Sequence, residues 1–470
     1  MDNIRLKIHS VICNLFSVTE DQLTDSTGPG QLAKWDSIGQ LRLIMELEKA
    51  FGIQLSVDEV MSMNNIGDIV QVISKSSGDP ESEESESTTE QTKVVYHPVR
   101  VPPQIFWGKG CTSALKSVLS GRVAIVTGSS DYVVKIQERL AVELTDRCEL
   151  MFIKRPSGEP EEIGCLQISR QLKDFAPDII VAIGGGSTID AAKLARLIYE
   201  NPEIDLNEIS GLLESIEIRK KTTFVAVPTT YGSGSEVSSA VAITKTGHTG
   251  KTILVSHEIL PEIVFLDPSY GVDASDNILF SSAIDALTHA VEGYVSLVRN
   301  PVLESLAGPT IRDILGALKN IVSGEDRYHS IEKLCYSAYY AGLIQNHCSV
   351  GLTHSFAHQM GTLGLSHGIA NATFLVPVMK YNADKVDSYE KLSHLCGLSS
   401  AEELIDSISE IVKATDIIPD ANTLNQILGK KEQIIAGAMG DITFQTNPVL
   451  LSRQEVEIVF TNTIHGLLST

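Results

Sequence analysis

The 470-residue sequence has no run of about 18 apolar residues, so no membrane-spanning helix is expected. Its first residues, MDNIRLKIHSVICNLFSV, interleave charge with apolar positions and lack the apolar core of a signal peptide, which points to the cytoplasm. It is poor in positive charge: 37 Lys and Arg stand against 59 Asp and Glu, a formal net charge of -22. Nucleic acid and anionic membrane surfaces select basic faces, so neither is expected as a partner. Cysteine is sparse. Seven are dispersed without a CxxC pair, which fits reduced thiols better than a disulfide framework. Aromatic residues make up only 6%, yet 43% of the chain is hydrophobic, enough for globular cores. A chain this long exceeds one ordinary core.

Residues 76–93, SSGDPESEESESTTEQTK, contain nothing apolar. Such a segment cannot bury enough surface to offset its ordering entropy, and it reads as a self-repelling acidic linker. A flexible linker of about 18 residues has an r.m.s. reach on the order of 20–25 Å. The expected division is a helical unit over 1–75, the linker over 76–95, an α/β domain over 96–270 and a helical domain over 271–470. In the first unit, Ile4, Ile8, Val11, Ile12 and Leu15 keep one helical face. Leu41, Ile44, Leu47 and Phe51 do the same, as do Ile66, Ile69, Val70 and Ile73. No strand signal interrupts them, so a small all-α bundle follows. Beyond the linker, RVAIVTG, CELMFIK, DIIVAIGGG, TTFVAVPTT and EIVFLDP alternate with helical patterns. Short β-branched runs between helices predict a parallel, doubly wound sheet. After about Ser269 only helical patterns remain.

Two loops suit a nucleotide. In DIIVAIGGGSTIDAAKLARLIY, residues 178–199, a buried strand runs into a Gly turn and a helix. Gly184, Gly185 and Gly186 permit close approach of backbone amides, Ser187 and Thr188 can cap the helix or donate to phosphate, and the helix N-terminus favours an anion. The turn is not GxGxxG, so an ordinary Rossmann unit is not expected. In PTTYGSGSEVSS, residues 228–239, Thr229, Thr230, Ser233 and Ser235 surround Gly232 and Gly234. Two Gly/hydroxyl loops at the carboxyl ends of strands suit a dinucleotide.

The helical part holds a second constellation. Asp285 and His289, in AIDALTHAVEGY, are four apart and share a helix face. His354, His358 and His367 fall within GLTHSFAHQMGTLGLSHG, three of only twelve histidines. Asp285, His289, His354 and His367 together offer one carboxylate and three imidazoles, a set suited to a divalent first-row metal with an open position. The plainer readings are a surface or capping pair for Asp285/His289, and hydrogen-bonded core histidines for the rest.

These motifs carry a resemblance. GGGSTIDAAK, PTTYGSGSEVSS, KTILVSHEILPEIVFLDP, DALTHAVEGY and HSFAHQMGTLGLSHG occur here in the order seen in the iron-dependent (group III) alcohol dehydrogenases, which include lactaldehyde and butanol dehydrogenases. The resemblance covers residues from about 96 to 470. It implies a dinucleotide-binding α/β domain, a helical metal domain and an active site in the cleft between them, in a homodimer. It further implies Asp285, His289, His354 and His367 as ligands of Fe(2+), a set zinc can also occupy. His358 becomes a proton-relay residue beside the metal. Gly185, Gly186, Ser187, Thr229, Thr230 and Ser233 would contact the dinucleotide, with Lys251 close to it and Asp190 and Lys193 completing the first motif. One departure matters. NAD-preferring members carry an Asp after the first strand, where this chain has Gly128 followed by Ser129 and Ser130. A carboxylate there repels a 2′-phosphate, so NADP(H) is admitted alongside NAD(H).

The first unit has its own resemblance. KWDSIGQLRLIMELEKAFGIQLS, residues 34–56, is similar to acyl carrier proteins, whose DSL motif carries 4′-phosphopantetheine on its serine; here it reads DSI. The plainer reading makes Ser37 an N-cap in a helical bundle. The resemblance implies Ser37 as the attachment site, with a phosphopantetheinyl transferase and biosynthetic enzymes as partners. Together the two halves imply a metal-dependent, NAD(P)-linked alcohol dehydrogenase or aldehyde reductase acting on a small or carrier-tethered aldehyde, in a polyketide, fatty-acyl or peptide-like pathway. The competing reading is a docking or carrier protein whose dehydrogenase-like part takes a free small aldehyde or is inactive.

Overall fold

The structure is a computed structural model of the chain. It describes residues 99–469 except 129–130, 145, 159, 205, 207–210, 213–219 and 246–250. From the first 98 it describes residues 2–16, 18–28, 32, 35, 43–44, 46–47, 50–51, 53, 63 and 65–76. Ser37, Ser129 and the acidic segment 77–95 therefore lie outside the described residues. The chain divides into two compact units, Met1–Pro98 and Val99–Thr470. Among the described residues no helix is long and apolar enough to cross a membrane, and none of the seven cysteines is in a disulfide.

In the first unit, helices Asp2–Phe16 and Ile66–Ser76 pack through the expected stripes. Ile8, Ile12, Ile66, Ile69 and Ile73 are fully buried, and Phe16 stacks on buried Trp35 with ring centroids 5.2 Å apart. The unit's core therefore reaches to the residue just before the Asp36-Ser37 motif.

The second unit begins with a six-stranded sheet. Its strands are β1 (Gln104–Trp107), β2 (Gly121–Thr127), β3 (Cys148–Lys154), β4 (Ile179–Gly184), β6 (Thr223–Pro228) and β9 (Ile263–Leu266). They run in the order β1-β9-β6-β4-β2-β3, and every pairing is parallel. Alternation along the strands explains why each reads as a continuous apolar run. Ala124, Val126, Ile180, Ala182, Phe224 and Ala226 face one core. Val123, Ile125, Val181, Ile183, Val225 and Val227 face another. The first of these cores continues without a break into the helices of the C-terminal half, from Leu279 to Ile417.

The five expected strands are all present. Four others carried too little signal. β1 has four residues, three of them exposed, on an edge of the sheet. β5 (Gly211–Leu212), β7 (Ala240–Thr244) and β8 (Lys251–Val255) form a separate small sheet, in which β7 and β8 pair antiparallel. No strand follows Leu266 among the described residues; helices run from Asp276 to Leu468.

Candidate active site

The candidate metal end is assembled from three helices. Asp276–Val295 starts at Ser275, whose hydroxyl accepts from the Ile278 amide. From Ala283 to Val295 every residue of this helix is buried, the polar ones included: Asp285 is 5% exposed and His289 2%. Leu352–Ala357 carries His354 and ends at His358. His367–Ala383 starts at His367, after a turn closed by Gly364 in the left-handed region (φ 75°). A side chain at Gly368 would fall on the Ser281 carbonyl, so glycine is what lets this helix sit against the first one and bring His367 to Asp285.

Asp285, His289, His354 and His367 present one ligand atom each, all within 4.8 Å of one another. The Nε2 atoms of His289, His354 and His367 lie 3.7, 3.7 and 3.6 Å from Asp285 Oδ1. His289 and His354 stack with centroids 4.7 Å apart. His358 stands outside the group: its ring stacks on His367 at 5.3 Å, while its Nδ1 points away to Asp441 Oδ2 at 2.8 Å. Asp441 also accepts from the amide and hydroxyl of Thr443.

Burial opposes charge throughout this cluster, and the partners decide each outcome. For Asp285, burial is overcome by the three imidazoles, and its carboxyl is held well below the usual range. Burial lowers His289 to about 4, against the pull of Asp285. For His354, burial is outweighed by Asp285 and Glu292, and its pKa rises to about 9. Asp285 and Glu292 are both held ionised here, so the cluster favours positive charge beside it.

The candidate dinucleotide end is built from backbone. β4 ends in Gly184, and Gly185 is the N-cap of helix Gly186–Glu200. A Cβ at Gly185 would lie 2.8 Å from Thr230 Oγ1, and one at Gly186 would fall on the Ser233 side chain. The second loop therefore packs directly on the first. The expected caps are corrected here. Gly185 is the N-cap without any side-chain bond; Ser187 and Thr188 are already inside the helix, and the Thr188 hydroxyl accepts from Arg155 Nε at 3.1 Å. Thr229 donates its amide to the Gly184 carbonyl. Asp190 accepts from the Ser235 hydroxyl and from the Ala242 amide, tying the loops together. Lys193 is 1% exposed and donates to the Ser238 and Ala240 carbonyls. Burial lowers its pKa to about 8, opposed by Asp190 and Glu236. Gly128 follows β2 and has only Thr188 Oγ1, at 3.4 Å, near a would-be Cβ. Lys251 opens β8.

One cavity of about 530 Å³ joins the two ends: Gly186, Ser187, Asp190, Thr230 and Ser233 line it together with Asp285, His289, His354, His358 and His367. Residues 102–268 match the iron-containing alcohol dehydrogenase family, and residues 279–464 match the C-terminal part of the Fe-containing alcohol dehydrogenase family.

The chain belongs to the iron-containing alcohol dehydrogenases. An alcohol dehydrogenase of Thermococcus barophilus is 30% identical over 374 residues, covering 76% of this chain and 96% of that protein. An NADPH-dependent butanol dehydrogenase of Clostridium saccharobutylicum is 29% identical over 383 residues, covering 78% and 97%. The solved structure of an iron-containing alcohol dehydrogenase from Thermococcus thioreducens superposes with a TM-score of 0.71 at 26% identity, covering 78% of this chain and all of that one. Residues 7–73 match a phosphopantetheine attachment site, so the dehydrogenase is fused to a carrier domain. The family works with iron and NAD(P), and the carrier type bears 4′-phosphopantetheine.

The donor set fits such a metal. Four donors around an ion at about 2.1 Å sit about 3.4 Å apart in a tetrahedron, close to the 3.6–3.7 Å separations from Asp285. Three further polar residues hold members of the Asp/His cluster or the adjacent His358 and were not anticipated. Asn371 Nδ2 donates to Asp285 Oδ1 at 2.7 Å. Asp441 holds His358. Glu292 Oε2 lies 2.7 Å from His354 Nδ1. The available sequence signal was polarity within an apolar helix: Glu292 follows His289 by three in DALTHAVEGY, and Asn371 follows His367 by four.

Proposed function

We propose that this chain reduces an aldehyde carried on its own phosphopantetheine arm, using NADP(H) or NAD(H) and a metal held by Asp285, His289, His354 and His367. The observation that carries the proposal is the shared cavity, where the three histidines and the aspartate meet the two Gly/hydroxyl loops. The fused carrier domain supports a tethered substrate. When bound, iron supplies Lewis acidity toward an aldehyde oxygen, and the nicotinamide supplies the hydride.

The chain's own residues do the rest. Gly186, Ser187, Thr230 and Ser233 offer amides and hydroxyls to the dinucleotide phosphates and ribose at a helix N-terminus. The 530 Å³ cavity gathers both loops and all four donors around one space for the reacting carbon. His358 exchanges a proton at Nε2, because Asp441 occupies its Nδ1 side and fixes the ring. Gly128 leaves room at the end of β2 for a 2′-phosphate. The aldehyde lies away from the thioester that binds it to the arm. Ser37 is the attachment point, and tethering raises the local substrate concentration to about millimolar.

The test is to load the carrier domain from an aldehyde-bearing coenzyme A thioester with a broad phosphopantetheinyl transferase and follow NADPH oxidation. Ser37→Ala should accept no arm by intact mass and should lose turnover of loaded substrate, while reducing free short aldehydes at the unaltered rate. Equal turnover of the supplied aldehyde-bearing thioester by Ser37→Ala would leave a dehydrogenase that serves free aldehydes alone.

A further inference from the structure

Glu292 lies on the same helix face as Asp285 and His289, seven residues after the first and three after the second. It is 3% exposed and makes an unusually uniform set of contacts. Its Oε2 accepts from the Gly351 amide at 2.8 Å and the His354 amide at 3.4 Å, and its Oε1 from the Thr353 amide at 2.7 Å. The fourth partner is His354 Nδ1 at 2.7 Å. All three backbone partners are donors, and an ionised carboxylate only accepts, so the proton on the His354 ring sits on Nδ1. Nε2 of His354, facing Asp285, is then the nitrogen that gives up its proton when a metal binds. Glycine at 351 permits this close approach, since a Cβ there would lie 3.0 Å from Glu292 Oε1. The neighbouring ligand is held differently: His289 Nδ1 faces only the Gly232 carbonyl, at 3.2 Å. A carboxylate polarises an imidazole more strongly than a carbonyl does and makes its other nitrogen a better donor.

We propose that Glu292 is a positioning residue for the metal centre, fixing the His354 tautomer and aiming its Nε2 while organising the turn that also presents His358. This rests on the reading of Asp285, His289, His354 and His367 as the metal ligands. A merely structural cap on Leu352–Ala357 would alter stability and leave metal affinity unchanged. A positioning role alters affinity. In Glu292→Gln the amide NH₂ must face one of the donors that now meet the carboxylate, and a neutral amide oxygen polarises Nδ1–H of His354 less than a carboxylate does.

The experiment measures zinc affinity of the full chain by chelator competition, for wild type, Asp285→Ala, Glu292→Gln and Glu292→Asp. Wild type should bind one zinc that Asp285→Ala loses. Glu292→Gln should bind about 10- to 100-fold more weakly, and Glu292→Asp, which keeps the charge, should recover part of the loss. Wild-type affinity in a folded Glu292→Gln protein overturns the proposal while leaving the ligand set intact. Failure of wild type to bind zinc at the Asp285 site overturns the ligand reading and this inference with it. Should Glu292→Gln not fold, wild type answers alone. In the zinc-loaded, ¹⁵N-histidine-labelled protein, the His354 signal, identified by its loss in His354→Gln, must show an Nδ1–H tautomer; an Nε2–H tautomer overturns the proposal.

Discussion

The two ends of the cavity are made of different material. The candidate metal end is a convergence of side chains, three of them buried, from three helices, with Asp285 and His367 82 positions apart in the chain. The candidate dinucleotide end is mostly backbone: glycines whose missing side chains let two loops touch, with hydroxyls around them. Loss of one side chain at the first end removes a ligand and strands other charges. At the second end, amides survive most substitutions, and only added bulk or charge changes the site.

The first prediction presses hardest on this contrast. Asp285→Ala should lose bound metal, and kcat/KM should fall by about 10³-fold or more, since several kcal/mol of charge stabilisation goes with it. Metal analysis beside steady-state kinetics checks both; full iron occupancy in an active variant would show that this carboxylate is no ligand.

His358→Ala should be milder and of a different kind. Metal stays and turnover slows by about 10²-fold. If metal is lost in step with His367→Ala, the His358–Asp441 pair belongs to the coordination set instead.

The pH dependence of metal binding probes the same end. Without metal, His354 is held protonated up to about pH 9, because Asp285 and Glu292 outweigh burial. The proton must leave for Nε2 to bind. Apparent affinity should therefore rise with pH, about tenfold per unit between about pH 6.5 and 8.5 for one displaced proton. Zinc titrations in chelator buffers measure the slope, and a flat profile would contradict the His354 assignment.

The smallest effect is expected at the backbone end. Gly128→Asp should shift the NADP(H)/NAD(H) ratio of kcat/KM toward NAD(H) by roughly tenfold, since a carboxylate accepts from a 2′-hydroxyl and repels a 2′-phosphate. The variant should fold normally, because its Cβ meets only Thr188 Oγ1 at 3.4 Å. An unchanged ratio would place the ribose elsewhere.

The parallel strands were legible because burial on both faces demands continuous β-branched runs, as in IVAIG-like β4 with all six residues buried. β1 and the two-residue β5 were not, since so few residues carry no period. The four candidate ligands were legible because imidazole and carboxylate at helical spacing are rare in apolar stretches. Glu292 was not: a glutamate three residues after a histidine on a helix is commonplace, and its partners lie 59 to 62 residues further on. Lys193 was quoted in the first motif, yet only its burial against the Ser238 and Ala240 carbonyls reveals that it ties down the second loop.

By itself, then, the sequence determined the kinds of chemistry available: a helical carrier-like unit, a parallel sheet, two glycine loops and four metal-seeking side chains. Those follow from local periodicity and residue type, which act over a few positions. The tertiary structure alone decided which nitrogen of each histidine faces Asp285, which carboxylate holds His354, and that both loops and all four donors open on one cavity. Those depend on helices meeting at contact distance, as at Gly368 against Ser281, and separation along the chain does not encode such distances.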